Sequence, residues 1–248
     1  MMKKIVCTLL LLGGLLPAML AQAGIIASAT RVIFREGDNE KSLMLLNTND
    51  YPIVVQTWVD DGDVNAAPEQ STAPFVSLPA VFSMQPKTMK GLRLIYNQQS
   101  LPTDRESVFW INLYEIPPTR PVIPPLQPSV TMAMNTQMKI FYRPKAVVAA
   151  EKDAPKPVFT LKKEDNHYVL LCDNPSPVYL SFSRLALRIG QQDYPVQQES
   201  DMMTPPFGSK KYRIDGIVQS GAISSAVVNA AIIDDQGNAV DQQYAVRK

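Results

Sequence analysis

The stretch SVTMAMNTQMKIFYRP, residues 129–144, alternates along most of its length. Val130, Met132, Met134, Met138 and Ile140 share one parity, and Ser129, Thr131, Asn135, Gln137 and Lys139 hold the other. A period of two marks a strand with one apolar face. Similar short alternations precede it: ATRVIF, KSLMLLNT, PIVVQTWV, GLRLIY and SVFWINLYEI. Turn-rich segments such as REGDNE, NTNDYP and NQQSLPTD separate them. A second series follows in KPVFTLKK, HYVLLCD, VYLSFSRLAL, KKYRI and SSAVVNAAIID. Many short strands with scarce helix patterns predict an all-β chain built from sandwiches.

Between the two series lies RPKAVVAAEKDAPKP, rich in Pro, Ala and Lys and nearly aperiodic. It predicts a linker near residues 145–155 and two domains, 24–146 and 147–248. Within the opening stretch, sixteen residues of strand would span about 53 Å, more than one ordinary strand. Val130, Met132 and Met134 are therefore assigned to an outside partner, and Met138 and Ile140 to the chain's own core. All five share one parity, so the division predicts a twist or bend between the two groups.

The chain opens MMKKIVCTLLLLGGLLPAMLAQA. Two lysines, an apolar run and the small residues Ala21 and Ala23 around Gln22 predict a secretory signal, residues 1–23, cut at Ala23/Gly24. Removing 23 of 248 residues leaves 225, and with Lys3 and Lys4 gone, 22 basic residues face 23 acidic ones. This balance offers no attraction for nucleic acid or an anionic membrane. No later stretch is apolar enough to cross a bilayer. Cys7 leaves with the signal, so Cys172 cannot form an intramolecular disulfide. Its apolar surroundings predict a buried, inert thiol, with a reactive or intermolecular thiol as the alternative.

The inventory for catalysis is poor. The single histidine, His167, has no Cys or second His near it in sequence to share a metal. Asp60-Asp61 and Asp234-Asp235 read as turns, with no partner acid opposite them. No nucleophile elbow, zinc-binding helix or phosphate loop is present. The expectation is no enzyme, no metal and no cofactor.

Four segments carry a family resemblance: LPTDRESVFWINLYEIPP at 101–118, GIIASATRVIF at 24–34, TQMKIFYRP at 136–144 and NPSPVYL at 174–180. Together they resemble the periplasmic pilus-assembly chaperones of the chaperone–usher class. The resemblance implies two immunoglobulin-like β-sandwich domains in an L or boomerang arrangement. It implies a carrier of fimbrial (pilin) subunits that delivers them to an outer-membrane usher. The family's two cleft cations fall on Arg31 and Lys139, which would bind the subunit's C-terminal carboxylate. Its donor-strand positions fall on Val130, Met132 and Met134, which would fill the groove of an unfinished subunit. Its buried interdomain ionic group falls on Glu106, Arg143 and Asp235, although this chain reads Asp-Asp-Gln-Gly where the family favours Asn-Asp-Tyr-Gly. The proline-rich PPTRPVIPPLQP resembles the short connection of the rod-forming subclass.

The implied setting is periplasmic, and free chaperone is expected to cap its own edge by self-association. The rival reading is a secreted immunoglobulin-like fibre or adhesive component, which would need no carboxylate anchor.

Overall fold

The computed structural model describes residues 24–63, 67–118, 132–150, 154–164, 167–216 and 226–247. The expected signal and Val130 lie outside these residues, as does most of the proline-rich connection.

The first half forms strands β1 (Ile25–Ala27), β2 (Arg31–Arg35), β3 (Glu40–Asn47), β4 (Ile53–Asp60), β5 (Phe75–Leu78), β6 (Val81–Met84), β7 (Met89–Tyr96), β8 (Ser107–Ile116) and β9 (Met134–Arg143). They make two sheets, ordered β1-β3-β7-β5 and β2-β9-β8-β4-β6. Alternation decides which side chains enter the core. Along β3, Leu43 and Leu45 are buried while Met44 points outward. Four aromatic residues hold the centre: Phe75 lies 4.9 Å from Phe34, 5.0 Å from Tyr96 and 5.2 Å from Phe109, ring centre to ring centre.

The first edge changes sheets. β1 pairs with β3 in one sheet, and β2 pairs with β9 in the other. Ser28, between them, keeps a backbone bond to Met44, so the chain crosses over only after leaving the first sheet.

The second half contains β10 (Val158–Glu164), β11 (His167–Asn174), β12 (Leu180–Ile189), β13 (Gln192–Pro195), β14 (Met203–Thr204), β15 (Gly208–Ile214), β16 (Val227–Ile233) and β17 (Ala239–Arg247). Pairing follows the order β13-β12-β16-β17-β10-β11-β15, with β14 beside β12. A separate core forms around Phe159, Phe182 and Tyr212, with Phe182 and Tyr212 edge to face at 5.8 Å. The fold is thus two immunoglobulin-like sandwiches, each with its own core.

The two halves share one corner device. Asn47, fully buried, donates to the carbonyls of Tyr51, Met84 and Gln85. Asn174 does the same for Val178, Thr204 and Pro205. Each side-chain oxygen also accepts a backbone N–H two residues on, from Asn49 or Ser176. A buried amide that satisfies four partners fixes its turn firmly.

The expected linker begins with a short helix, α1 (Lys145–Ala150). Val147 on its inner face is buried, and the Lys145 amide donates to Glu36. Aperiodic sequence gave no sign of this helix because a single apolar anchor holds it.

Candidate functional site

The site lies where β9 outruns β2. Antiparallel to β8, β9 is paired without a register break from Tyr142↔Ser107 to Met134↔Glu115. On its other side β2 runs parallel, but only from Arg31↔Lys139 to Arg35↔Arg143. Among the described residues, the backbone edge of Met134–Met138 on that side has no strand partner. Unpaired edge groups of this kind are a template for an added strand.

Side-chain exposure changes along the same parity. Ile140 is 0 % exposed, Met138 6 %, Met134 48 % and Met132 80 %. The pairing with β8 runs through both groups without a register break, so no bulge separates them. The apolar row emerges on the stretch of β9 that β2 does not reach, while β8 continues alongside it.

Arg31 and Lys139 are direct register partners and stand where the open edge ends. The Arg31 guanidinium covers the Phe141 ring at 5.4 Å and donates through one terminal nitrogen to the Ile233 carbonyl at 3.3 Å. Its Nε is buried with no hydrogen-bond partner among the described residues. Burial lowers its pKa, opposed chiefly by Asp235 and Glu106. Lys139 Nζ lies 3.3 Å from Asp201 Oδ1, across the domain boundary. Burial also lowers the Lys139 pKa; Asp201 pulls it back up, while Arg31 and Lys210 add repulsion. Two partly desolvated cations side by side make a positively charged corner at the end of the open edge.

Glu106, Arg143 and Asp235 also come together. Arg143 donates to Glu106 Oε1 from Nε at 3.0 Å and from a terminal nitrogen at 2.8 Å. It holds Asp235 with two bonds of 2.8 and 2.9 Å. Glu106 Oε2 accepts the Tyr179 amide of the second domain at 2.8 Å. Burial pushes the Glu106 carboxyl up, and Arg143 draws it back.

A polar chain on the outer face of the second sheet was not foreseen from sequence. Asn112 Nδ2 donates to Asp60 at 2.6 Å, while its Oδ1 accepts Asn135 and Gln137, each at 2.9 Å. Asp60 also accepts the Trp58 indole and the Gly62 amide. The Asp60-Asp61 pair is indeed at a turn, but Asp60 also anchors the start of β9. His167 heads β11 opposite Glu164. Among the described residues no cluster of metal-ligating side chains occurs, and no helix is long and apolar enough to cross a membrane.

Two immunoglobulin-like sandwiches, the first with a strand edge left open beside paired cations, place the chain among the two-domain immunoglobulin-like proteins. The comparisons make the class specific. Residues 24–148 match the family described as "Pili and flagellar-assembly chaperone, PapD N-terminal domain", and residues 155–244 match "Pili assembly chaperone PapD, C-terminal domain". The probable fimbrial chaperone YadV of Escherichia coli (strain K12) is 34 % identical over 223 residues, 88 % of each chain. The chaperone protein FimB/FhaD of Bordetella pertussis is 32 % identical over 241 residues, 95 % of this chain and 93 % of that one. The crystal structure of the YadV chaperone superposes with a TM-score of 0.71 at 30 % identity, covering 90 % of this chain and 99 % of that one. The chain belongs to the pilus-assembly chaperone family. The rival reading as a fibre component is set aside.

Proposed function

We propose that this protein captures fimbrial subunits in the periplasm by lending them the edge of β9, then passes them to an outer-membrane usher. The observation that carries the reading is the parallel register of β2 and β9. A guest strand lying on the open edge parallel to β9 would run head-on toward Arg31, so its last residue, with its carboxylate, would meet Arg31 and Lys139. An antiparallel guest would bring an ammonium there instead, which two cations repel.

With the carboxylate held, every upstream guest residue has a fixed partner, so the anchor sets register. Met132 and Met134, joined by Val130, would fill the subunit's groove. Each such side chain contributes about 1.5–3 kcal/mol when fully buried, before ordering costs. Methionine adapts to pockets of different shape, which suits several related clients. Strand addition is a general recognition mode, for which chaperone–pilin pairing is itself a standard example. A solved neighbour at 24 % identity is titled as the Salmonella enterica SafA pilin in complex with the SafB chaperone, which gives the likeness of fold a relevant setting.

The Glu106–Arg143–Asp235 group would set the angle between the domains, since a buried ionic cluster orients more than it stabilises. The reading needs no catalysis, cofactor or nucleotide. Free protein would shield the methionine row by self-association.

The decisive experiment is purification of the periplasmic protein with its bound partner and identification of that partner by mass. A fimbrial subunit whose C-terminus lies at Arg31 and Lys139 in a co-crystal structure is the expected result. A partner docked elsewhere, with the β9 edge empty, would refute the reading.

A further inference from the structure

Glu115, near the end of β8, is a buried carboxylate only half provided for. Its residue is 6 % exposed. Oε1 accepts Asn49 Nδ2 at 2.7 Å, but Oε2 is buried and has no hydrogen-bond partner among the described residues. Among the described residues no Lys or Arg pairs with it. A buried charge in that condition is costly, and a nearby cation would relieve it.

The group that Oε2 faces is Gly24. A Cβ placed on Gly24 would sit 2.0 Å from Oε2 and 2.7 Å from Oε1, so no residue with a side chain fits there unmoved. Standard geometry then puts the Gly24 nitrogen within about 4.5 Å of Oε2. Gly24 is also tied down: its carbonyl accepts the Thr48 amide at 2.9 Å and the Thr48 hydroxyl at 2.8 Å. While Gly24 follows Ala23, its nitrogen is a neutral amide with a single hydrogen. Hydrolysis of the Ala23–Gly24 bond would turn that nitrogen into an ammonium with three donors and a full positive charge.

We propose that Glu115 is the receptor for the chain's own new amino terminus: removal of residues 1–23 creates a buried ion pair between the Gly24 ammonium and Glu115 Oε2. The inference rests on cleavage at Ala23/Gly24 and is independent of which client is carried. Its location gives it a role. Glu115 is the register partner of Met134, where the open edge of β9 starts. The pair would fasten β8 at the point from which the lending edge emerges, and would form only after export. Gly24 is then suited to the first position because a side chain there would displace the carboxylate.

The test compares the secreted protein with a form that retains Gly-Ser ahead of Gly24, each with and without Glu115→Gln. Intact mass comes first, and a secreted chain starting elsewhere than Gly24 overturns both the cleavage reading and the inference. In the authentic chain, Glu115→Gln should shift the unfolding equilibrium toward the unfolded state by tenfold or more. In the extended chain it should do far less, or stabilise, because the carboxylate there already lacks its partner. The Gly24 ammonium, followed by nitrogen NMR, should titrate above the ordinary range of about 7.7–8.0, and return to it in Glu115→Gln. Equal effects of the substitution on both chains would overturn the proposal. So would an ordinary titration of the Gly24 amine, a readout that survives even if one variant folds poorly.

Discussion

Arg31 and Lys139 lie opposite each other in the parallel pairing of β2 and β9, at the residue where β2 begins. Their closeness is a property of the sheet register and does not depend on a bound anion. Lys139→Ala or Arg31→Ala should therefore abolish capture of a co-expressed fimbrial subunit and leave the melting temperature close to wild type. Retention of the subunit at wild-type level by either variant would count against the anchor.

Asp201 pairs with Lys139 at 3.3 Å. An incoming carboxylate meets a like charge there, and Asp201 is 47 % exposed, so the opposition is modest. Asp201→Asn should tighten binding of a subunit with a free C-terminus about two- to fivefold at low salt, with the gain shrinking as salt rises. Calorimetric titration of wild type and variant measures it, and weaker binding by the variant would make Asp201 a helper instead.

Met132 is 80 % exposed and contributes little to the chain's own core. Met132→Glu should keep the fold but lower the periplasmic yield of subunit several-fold, since a charge would enter an apolar groove. Unchanged yield would argue that the row touches no guest.

Breaking the interdomain cluster should depend on which member is lost. Arg143→Ala leaves the Glu106 carboxylate, 2 % exposed, without its cation, and should cost about 3–5 kcal/mol. Asp235→Asn should cost less, because Asp235 is 26 % exposed and Arg143 still serves Glu106. Urea unfolding of the two variants should rank them in this order.

The Cys172 thiol is buried, and that burial pushes its pKa up to about 11, against 9.0 for an ordinary thiol. The shift favours the neutral native thiol. Its contribution to stability is fully present below about pH 9 and declines as pH rises through about 11. A thiol-specific reagent at pH 8 should label the native protein slowly and the urea-unfolded protein fast. Rapid labelling of the native form would revive the reactive alternative.

The alternation of β9 was legible because burial on one face imposes a period of two. Where that face passes from core to open surface was not, since Met134 and Met138 share a parity and differ only in what ends beside them. β17, reading AVDQQYAVR, was missed because most of its side chains are exposed. It owes its form to backbone pairing with β16 and β10. Glu106, Arg143 and Asp235 were placed by family likeness, and their convergence depends on two domains meeting. Asp201 and the Asp60–Asn112 chain carry no local signal at all, because each acts only through residues remote in sequence.

The late start of β2 has a consequence for cargo selection. The lane beside β9 is a cul-de-sac: β2 blocks it immediately past the cations. A subunit lengthened at its tail by a purification tag or a read-through peptide would have nowhere to lodge the surplus. On the proposed anchor, such clients should be refused even with every groove residue intact, and selection would then depend on where a chain stops as well as on how greasy it is.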